Sequence, residues 1–137
     1  MDELPRGIRN NNPGNIRRGP DKWKGLMEPD PDFYQFFTPE FGIRAIARLL
    51  MNYQKLYGLD TIRKLIARWA PPEDGNPTDI YGDFVAEKVG LDKDVPIEVK
   101  DHLVELVKAI IEFENGFNPY SDETITAGVH MATGEGH

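Results

Sequence analysis

Glu114 is the residue of this chain whose setting could do chemistry. It lies in Ile110-Ile111-Glu112-Phe113-Glu114-Asn115-Gly116-Phe117-Asn118-Pro119-Tyr120. Ile97, Leu103, Leu106, Val107, Ile110 and Ile111 lead up to it at helical spacing, and the chain breaks at Gly116 and Pro119. Glu114 thus falls where an apolar stripe meets a helix end. The dipole there is negative, so the place suits an anion poorly. Partial burial beside Phe113 and Phe117 would disfavour charge further. A carboxyl in such a place can serve as a general acid; the plainer alternative is a surface glutamate closing a helix. Tyr81, in Asn76-Pro77-Thr78-Asp79-Ile80-Tyr81, could bring its hydroxyl to a sugar or carboxyl group while its ring packs, or be a core tyrosine. Trp69, just before Ala70-Pro71-Pro72, could line a sugar-binding cleft or close a helix pair. His102, His130 and His137 have no ligand-like spacing with carboxylates, so no metal is expected. No phosphate loop or Ser-His-Asp arrangement stands out, and no cofactor is expected.

The elements that must position these groups are mainly helical. Thr38, Pro39 and Glu40 form a helix start, followed by Ile43, Ile46, Ala47, Leu50, Tyr53, Leu56 and Tyr57 at spacings of three and four, with Gly58 as a stop. A second helix is expected from Asp60 as cap through Ile62, Leu65, Ile66 and Trp69, ended by Pro71-Pro72. Thr78 can cap a third carrying Ile80, Tyr81, Phe84, Val85 and Val89, with Gly90 as stop. Pro96 opens a long fourth helix that ends at Glu114, and a fifth starts at Ser121 or Asp122 and carries Ile125, Val129 and Met131. Residues 7–38 do not read as helix. Asn10-Asn11-Asn12-Pro13-Gly14 is dense in turn formers whose amides can hold left-handed or Asx turns. Short strands at Asn15–Arg18 and Asp32–Phe37 predict a small β-hairpin region, with Tyr34 and Phe36 on one face. One domain spanning 1–137 is expected: hairpin region 7–38, helical region 39–131 and a frayed tail at 132–137.

Composition narrows the function. With 137 residues, no cysteine and a net charge of −7, disulfide and Cys-metal frameworks are excluded and general nucleic-acid binding is disfavoured. No apolar run suggests a signal peptide or a membrane span. Charge is uneven: within residues 1–25, Arg6, Arg9, Arg17, Arg18, Lys22 and Lys24 stand against Asp2, Glu3 and Asp21. That is a patch able to meet an anionic polymer, or simply a solvated basic face.

Four stretches carry a resemblance. Glu114-Asn115-Gly116-Phe117-Asn118-Pro119 is similar to the Glu-Ser-x-Phe-x-Pro signature of lytic transglycosylases and goose-type lysozymes, with Asn115 for the Ser; there the Glu ends a core helix and is the catalytic acid. Ala127-Gly128-Val129-His130-Met131 resembles the Gly-Leu-Met-Gln segment that follows in that superfamily, without its Gln. Asn76–Tyr81 resembles the Thr-Asp-Pro-x-Tyr segment of glucosaminidases, whose Tyr lies beside the catalytic Glu, although the Pro is missing and Tyr81 comes one residue early. Asn12-Pro13-Gly14-Asn15-Ile16-Arg17 with Trp23-Lys24-Gly25 is similar to the N-terminal motif of a family of phage virion structural proteins, and more distantly to a glucosaminidase strand that follows the catalytic helix. Here it precedes that helix. A circularly permuted lysozyme-like fold accounts for the order, and permutation is tolerated where termini lie close together.

What the resemblance implies is cleavage of the β-1,4 bond between N-acetylmuramic acid and N-acetylglucosamine, with Glu114 protonating the leaving oxygen. Transglycosylase chemistry would then use the muramyl 6-hydroxyl as nucleophile and give a 1,6-anhydro product. A hydrolase needs a second carboxylate; Glu28, Asp30 and Asp32 lie where lysozymes keep theirs, and Glu28 is the first choice. Asn15, Trp23, Tyr34 and Trp69 are the expected substrate-binding residues, and Tyr81 the catalytic partner of Glu114. Peptidoglycan strands would be the partner of a monomer, without nucleic acid or membrane insertion. The implied location is a phage virion, or the bacterial cytoplasm before release, with action at the periplasm or wall. The alternatives are a non-catalytic virion or wall-binding module, in which Glu114 would be fully exposed, and a small adaptor with an acidic protein-binding face.

Overall fold

Helix α2, Pro39–Tyr57, forms as its sequence dictates. The Thr38 hydroxyl accepts from the Phe41 amide at 3.4 Å, Pro39 needs no partner in the first turn, and Gly58 stops the helix in the left-handed region at φ 67°. The computed structural model of the protein describes residues 4–27 and 30–134. Along α2, Ile43, Ile46, Ala47 and Leu50 are fully buried. They pack against α3 (Ile62–Trp69), α5 (Leu103–Asn115) and α6 (Asp122–Gly134), with α4 (Thr78–Val89) completing the group against α3 and α5. No helix among the described residues is long and apolar enough to cross a membrane.

Two helix starts differ from the sequence expectation, each for a local reason. Thr61, not Asp60, caps α3: its hydroxyl accepts from the Lys64 amide at 3.2 Å, while the Asp60 carboxylate pairs with the Lys64 ammonium at 3.3 Å. Thr78 does not cap α4, because its hydroxyl donates to the Ala70 carbonyl at 2.6 Å and ties the α3–α4 loop shut.

The helix that ends at Glu114 does not begin at Pro96. Residues 97 and 98 stay out of the helix because the Gln54 side chain takes flanking backbone groups: its amide donates to the Ile97 carbonyl at 2.9 Å, and its oxygen accepts from the Val99 amide at 2.8 Å. A single 3₁₀ turn, Val99–His102, then feeds α5. The expected apolar face of α5 is the observed one: Leu103, Leu106, Val107, Ala109, Ile110 and Ile111 are buried, and the helix touches α1, α2, α4 and α6. Gly116, at φ 82°, ends it. Ser121 opens α6 by accepting from the Thr124 amide at 3.2 Å. That helix runs through Gly134 with Ala132 buried, so the expected fraying at 132–134 does not occur, and residues 135–137 lie outside the described ones.

The N-terminal region departs most from expectation. It holds one helical turn, α1 (Arg6–Arg9), where none is expected, and no strands among the described residues. In place of a hairpin there are two isolated antiparallel bridges, Arg17 with Phe33 and Leu26 with Phe36. Backbone bonds still pair the segments, Arg18 N–H to the Asp32 carbonyl at 3.0 Å and Tyr34 N–H to the Ile16 carbonyl at 3.1 Å, and asparagine side chains brace them. The buried Asn12 amide donates to the Ile16 and Tyr34 carbonyls at 2.9 and 3.0 Å while its oxygen accepts from the Ile16 amide at 3.0 Å. Asn11 donates to the Phe36 and Phe37 carbonyls at 3.1 and 3.3 Å. Asn11 and Asn15 both take φ 52°, the left-handed region that asparagine tolerates. Beneath this frame, Tyr34, Phe36 and Ala45 form a second apolar cluster with Ile16, Trp23, Leu26 and Phe41 packed on it.

Candidate active site

Glu114 lies on the last turn of α5, half-buried, and each of its carboxylate oxygens accepts one hydrogen bond. The Asn15 amide donates to Oε1 at 2.8 Å, and the Tyr81 hydroxyl donates to Oε2 at 2.8 Å. A carboxylate offers about four lone-pair positions, so two remain for a ligand. Glu114 faces a cavity of about 460 Å³ walled by Asn15, Arg17, Phe33, Trp69, Asp74 and Asn76, among others, within the size range of small-ligand sites.

Each donor is fixed by its own surroundings. Tyr81, on the first turn of α4, is 1% exposed and stacks on Phe113 at 3.9 Å between ring centroids and 22° between planes; Phe84 meets Phe113 edge-on. Burial, then the charge of Glu114 and the hydrogen bond to it, push the Tyr81 phenol far above its ordinary range, opposed by a hydrogen bond from Trp69. Asn15 is set by the loop after α1. Asn115, standing where the resemblance has Ser, is buried; its amide donates to the Pro13 carbonyl at 2.8 Å and to the Ile111 carbonyl of its own helix at 2.9 Å. That clamps the 13–15 loop to the end of α5. Gly7 lies under the clamp, where an added Cβ would come within 2.5 Å of Asn15 Oδ1 and 2.8 Å of Asn115 Oδ1.

Of the residues expected from sequence, the structure brings together Glu114, Tyr81, Asn15 and Trp69. It does not bring Trp23 or Tyr34. Both belong to the second apolar cluster, where the Tyr34 hydroxyl donates to the Asp21 carbonyl at 2.9 Å and accepts from the Gly19 amide at 3.1 Å. Their rings are spent on packing the N-terminal region. Phe117 does not shelter Glu114 but is 41% exposed past the helix end. Glu28 lies outside the described residues. Asp30 is a clamp: it accepts from Arg6, whose guanidinium holds its carboxyl well below the usual range, and from Asn10 at 3.2 Å. Asp32 also pairs with Arg6, at 3.1 Å.

Sequence reasoning missed Arg17, Phe33, Arg68, Asp74 and Asn76 as cavity residues. Asp74 and Asn76 sit in Asp74-Gly75-Asn76-Pro77, which reads as a plain turn; the Asn76 amide donates to the Pro71 carbonyl at 3.0 Å and folds the loop over the cavity. Asp74 is the other carboxylate among the described residues that wall it.

No family model matches the chain. Protein P5 of Pseudoalteromonas phage PM2 is similar to it, 43% identical over 133 residues that span 93% of this chain and 82% of that protein. The match agrees with the phage-protein resemblance carried by Asn12–Arg17 and Trp23–Gly25. At that identity over most of both chains, this protein belongs to the family of the phage PM2 Protein P5.

Proposed function

We propose that this protein is a peptidoglycan-cleaving muramidase of circularly permuted lysozyme-like fold, with Glu114 as its general acid and base. The observation that carries it is the gripping of Glu114 by Tyr81 and Asn15 at the wall of a ligand-sized cavity. A glutamate merely closing a helix needs neither donor, and a buried tyrosine needs no carboxylate partner. Further support comes from chain order: the Asn15, Tyr81 and Glu114 segments meet in the cyclic sequence that a permuted lysozyme-like fold requires. Association with a virion fits the phage relative.

The chemistry follows from the grip. Two fixed donors orient the carboxyl without moving parts, so the remaining lone pairs point one way. Glu114 gives a proton to the glycosidic oxygen as positive charge develops on the muramyl C1. If the muramyl 6-hydroxyl then attacks C1, Glu114 takes its proton, and one carboxyl suffices for a 1,6-anhydro product. If water attacks instead, Asp74 is the described carboxylate available to activate it or to shield the oxocarbenium-like centre.

The test is direct. Purified protein should release soluble muropeptides from cell walls. Glu114→Gln keeps size and hydrogen-bonding reach but has no proton to give, so release should fall by ~10²–10⁴-fold or more, with the melting temperature near that of the parent. Mass spectrometry of the products separates the two routes: anhydro-muramyl ends mean a transglycosylase, reducing ends a hydrolase. A parent protein that binds walls of several bacteria but cuts none would make it a wall-binding module.

A further inference from the structure

We propose that Arg68 binds a carboxylate carried by the glycan beside the bond over Glu114, so that the site selects acid-bearing muramyl strands over neutral N-acetylglucosamine polymers. This rests on the peptidoglycan function proposed above. The first observation is a missing partner. The chain carries a net charge of −7, and several of its bases are held by carboxylates: Arg6 by Asp30, Lys88 by Glu112, Lys93 by Asp83, Lys108 by Asp122. Arg63, on the same helix as Arg68, is held by both oxygens of Asp94. Arg68 has no acidic partner among the described residues. Asp74, Asp21 and Glu73 face the spaces it borders, and none pairs with it.

The second observation is how Arg68 is held. Its guanidinium lies 3.8 Å from the centroid of the Tyr57 ring and 5.4 Å from that of Tyr53. Stacking on rings fixes the plane of the guanidinium while leaving its N–H edges free, the arrangement that takes a carboxylate with two parallel hydrogen bonds. The third is position. Arg68, with Leu49, Tyr53 and Pro71, walls both the Glu114 cavity and an adjoining one of about 850 Å³. It therefore stands where the Glu114 cavity and its neighbour share a wall, within reach of a strand that extends beyond Glu114. Arg17, near the Phe33 ring at 5.1 Å, walls the same cavity as Glu114 and adds a field of the same sign.

N-acetylglucosamine polymers bear no charge. Muramyl residues bear a lactyl ether whose carboxylate is free, or is extended by a peptide with carboxylates of its own. Binding by the uncleaving Glu114→Gln protein tests the proposal on three ligands of equal sugar length: neutral N-acetylglucosamine oligomers, glycan strands stripped of peptide, and peptide-bearing strands. The acidic ligands should bind about tenfold or more tighter than the neutral one. Adding Arg68→Gln should abolish that preference, and Arg68→Lys should keep part of it. Preference for stripped strands assigns the lactyl carboxylate; preference for peptide-bearing strands alone assigns the peptide. Arg68 is exposed, so an unchanged thermal melt is expected and checks the fold. An Arg68→Gln protein that still favours acidic strands overturns the proposal and leaves Glu114 chemistry intact. A protein that neither binds nor cuts any strand overturns both.

Discussion

Tyr81 shows how much one hydroxyl can do. It gives to Glu114 while its ring lies on Phe113, so its removal takes a donor from the carboxylate and leaves the stack in place. Tyr81→Phe should lower kcat/KM on peptidoglycan by roughly ten- to a hundredfold, since one hydrogen bond to a charged group is worth about 1.5–3 kcal/mol. The melting temperature should stay near that of the parent, because the ring still packs. Full activity in Tyr81→Phe would remove Tyr81 from the site. Residues of this kind were legible because chemistry limits them: a carboxyl at a helix end and a tyrosine at a helix start come with few explanations. Trp23 and Tyr34 misled because aromatic rings bury wherever any core forms, and the smaller cluster was invisible in the spacing. Arg68 gave no signal, as an arginine on the outer face of a helix looks like any solvated charge until the tyrosines beneath it are seen.

At the scale of elements, caps and periodicity located α2, α3, α4 and the apolar face of α5, because those signals are local. What failed was set by distant partners. Gln54 holds residues 97 and 98 out of the helix, and no pattern near Pro96 records that. The pairing of 15–18 with 32–37 was legible, but it stays too short to form strands, and the asparagine amides that brace it leave no mark in a period-of-two pattern. Asn12 bears most of this: it satisfies both backbone groups of Ile16 and the Tyr34 carbonyl, with no exposure to water. Asn12→Ala leaves the Ile16 amide and the Tyr34 carbonyl without partners, while the Ile16 carbonyl keeps the Tyr34 amide at 3.1 Å, and should destabilise the protein by about 2 kcal/mol or more, read from chemical denaturation. Because Asn15 follows three residues later, wall-cleaving activity should drop in step even where most molecules stay folded.

Across the whole molecule, Glu114 and the two groups that grip it come from three separate places: α5, the loop after α1, and α4. Mainly α architecture was legible from the helical spacing of apolar residues. The close seating of α6 on α2 was not, since it depends on Gly128, whose missing side chain leaves room for Ile43; an added Cβ would lie 2.5 Å from Ile43 Cγ2. Asn15 meets Glu114 across 99 positions of chain. Bringing together points so far apart costs about 4 kcal/mol in loop entropy, which is recovered only when the partner helix already stands. The irregular N-terminal segment should therefore dock late during folding and come away early on heating, as a separate cooperative unit of low stability. On a slow temperature ramp, muropeptide release should fade below the temperature at which the helical circular dichroism signal is lost, and backbone amides of residues 11–18 should exchange hydrogen faster than those of 106–111. Simultaneous loss of the two signals would make the segment part of one global unit. If the segment docks separately, the integrity of the Glu114 site is a property of a docking equilibrium: a small change in how firmly the N-terminal segment sits on the helices would make or break the grip on Glu114 without altering any residue that forms it.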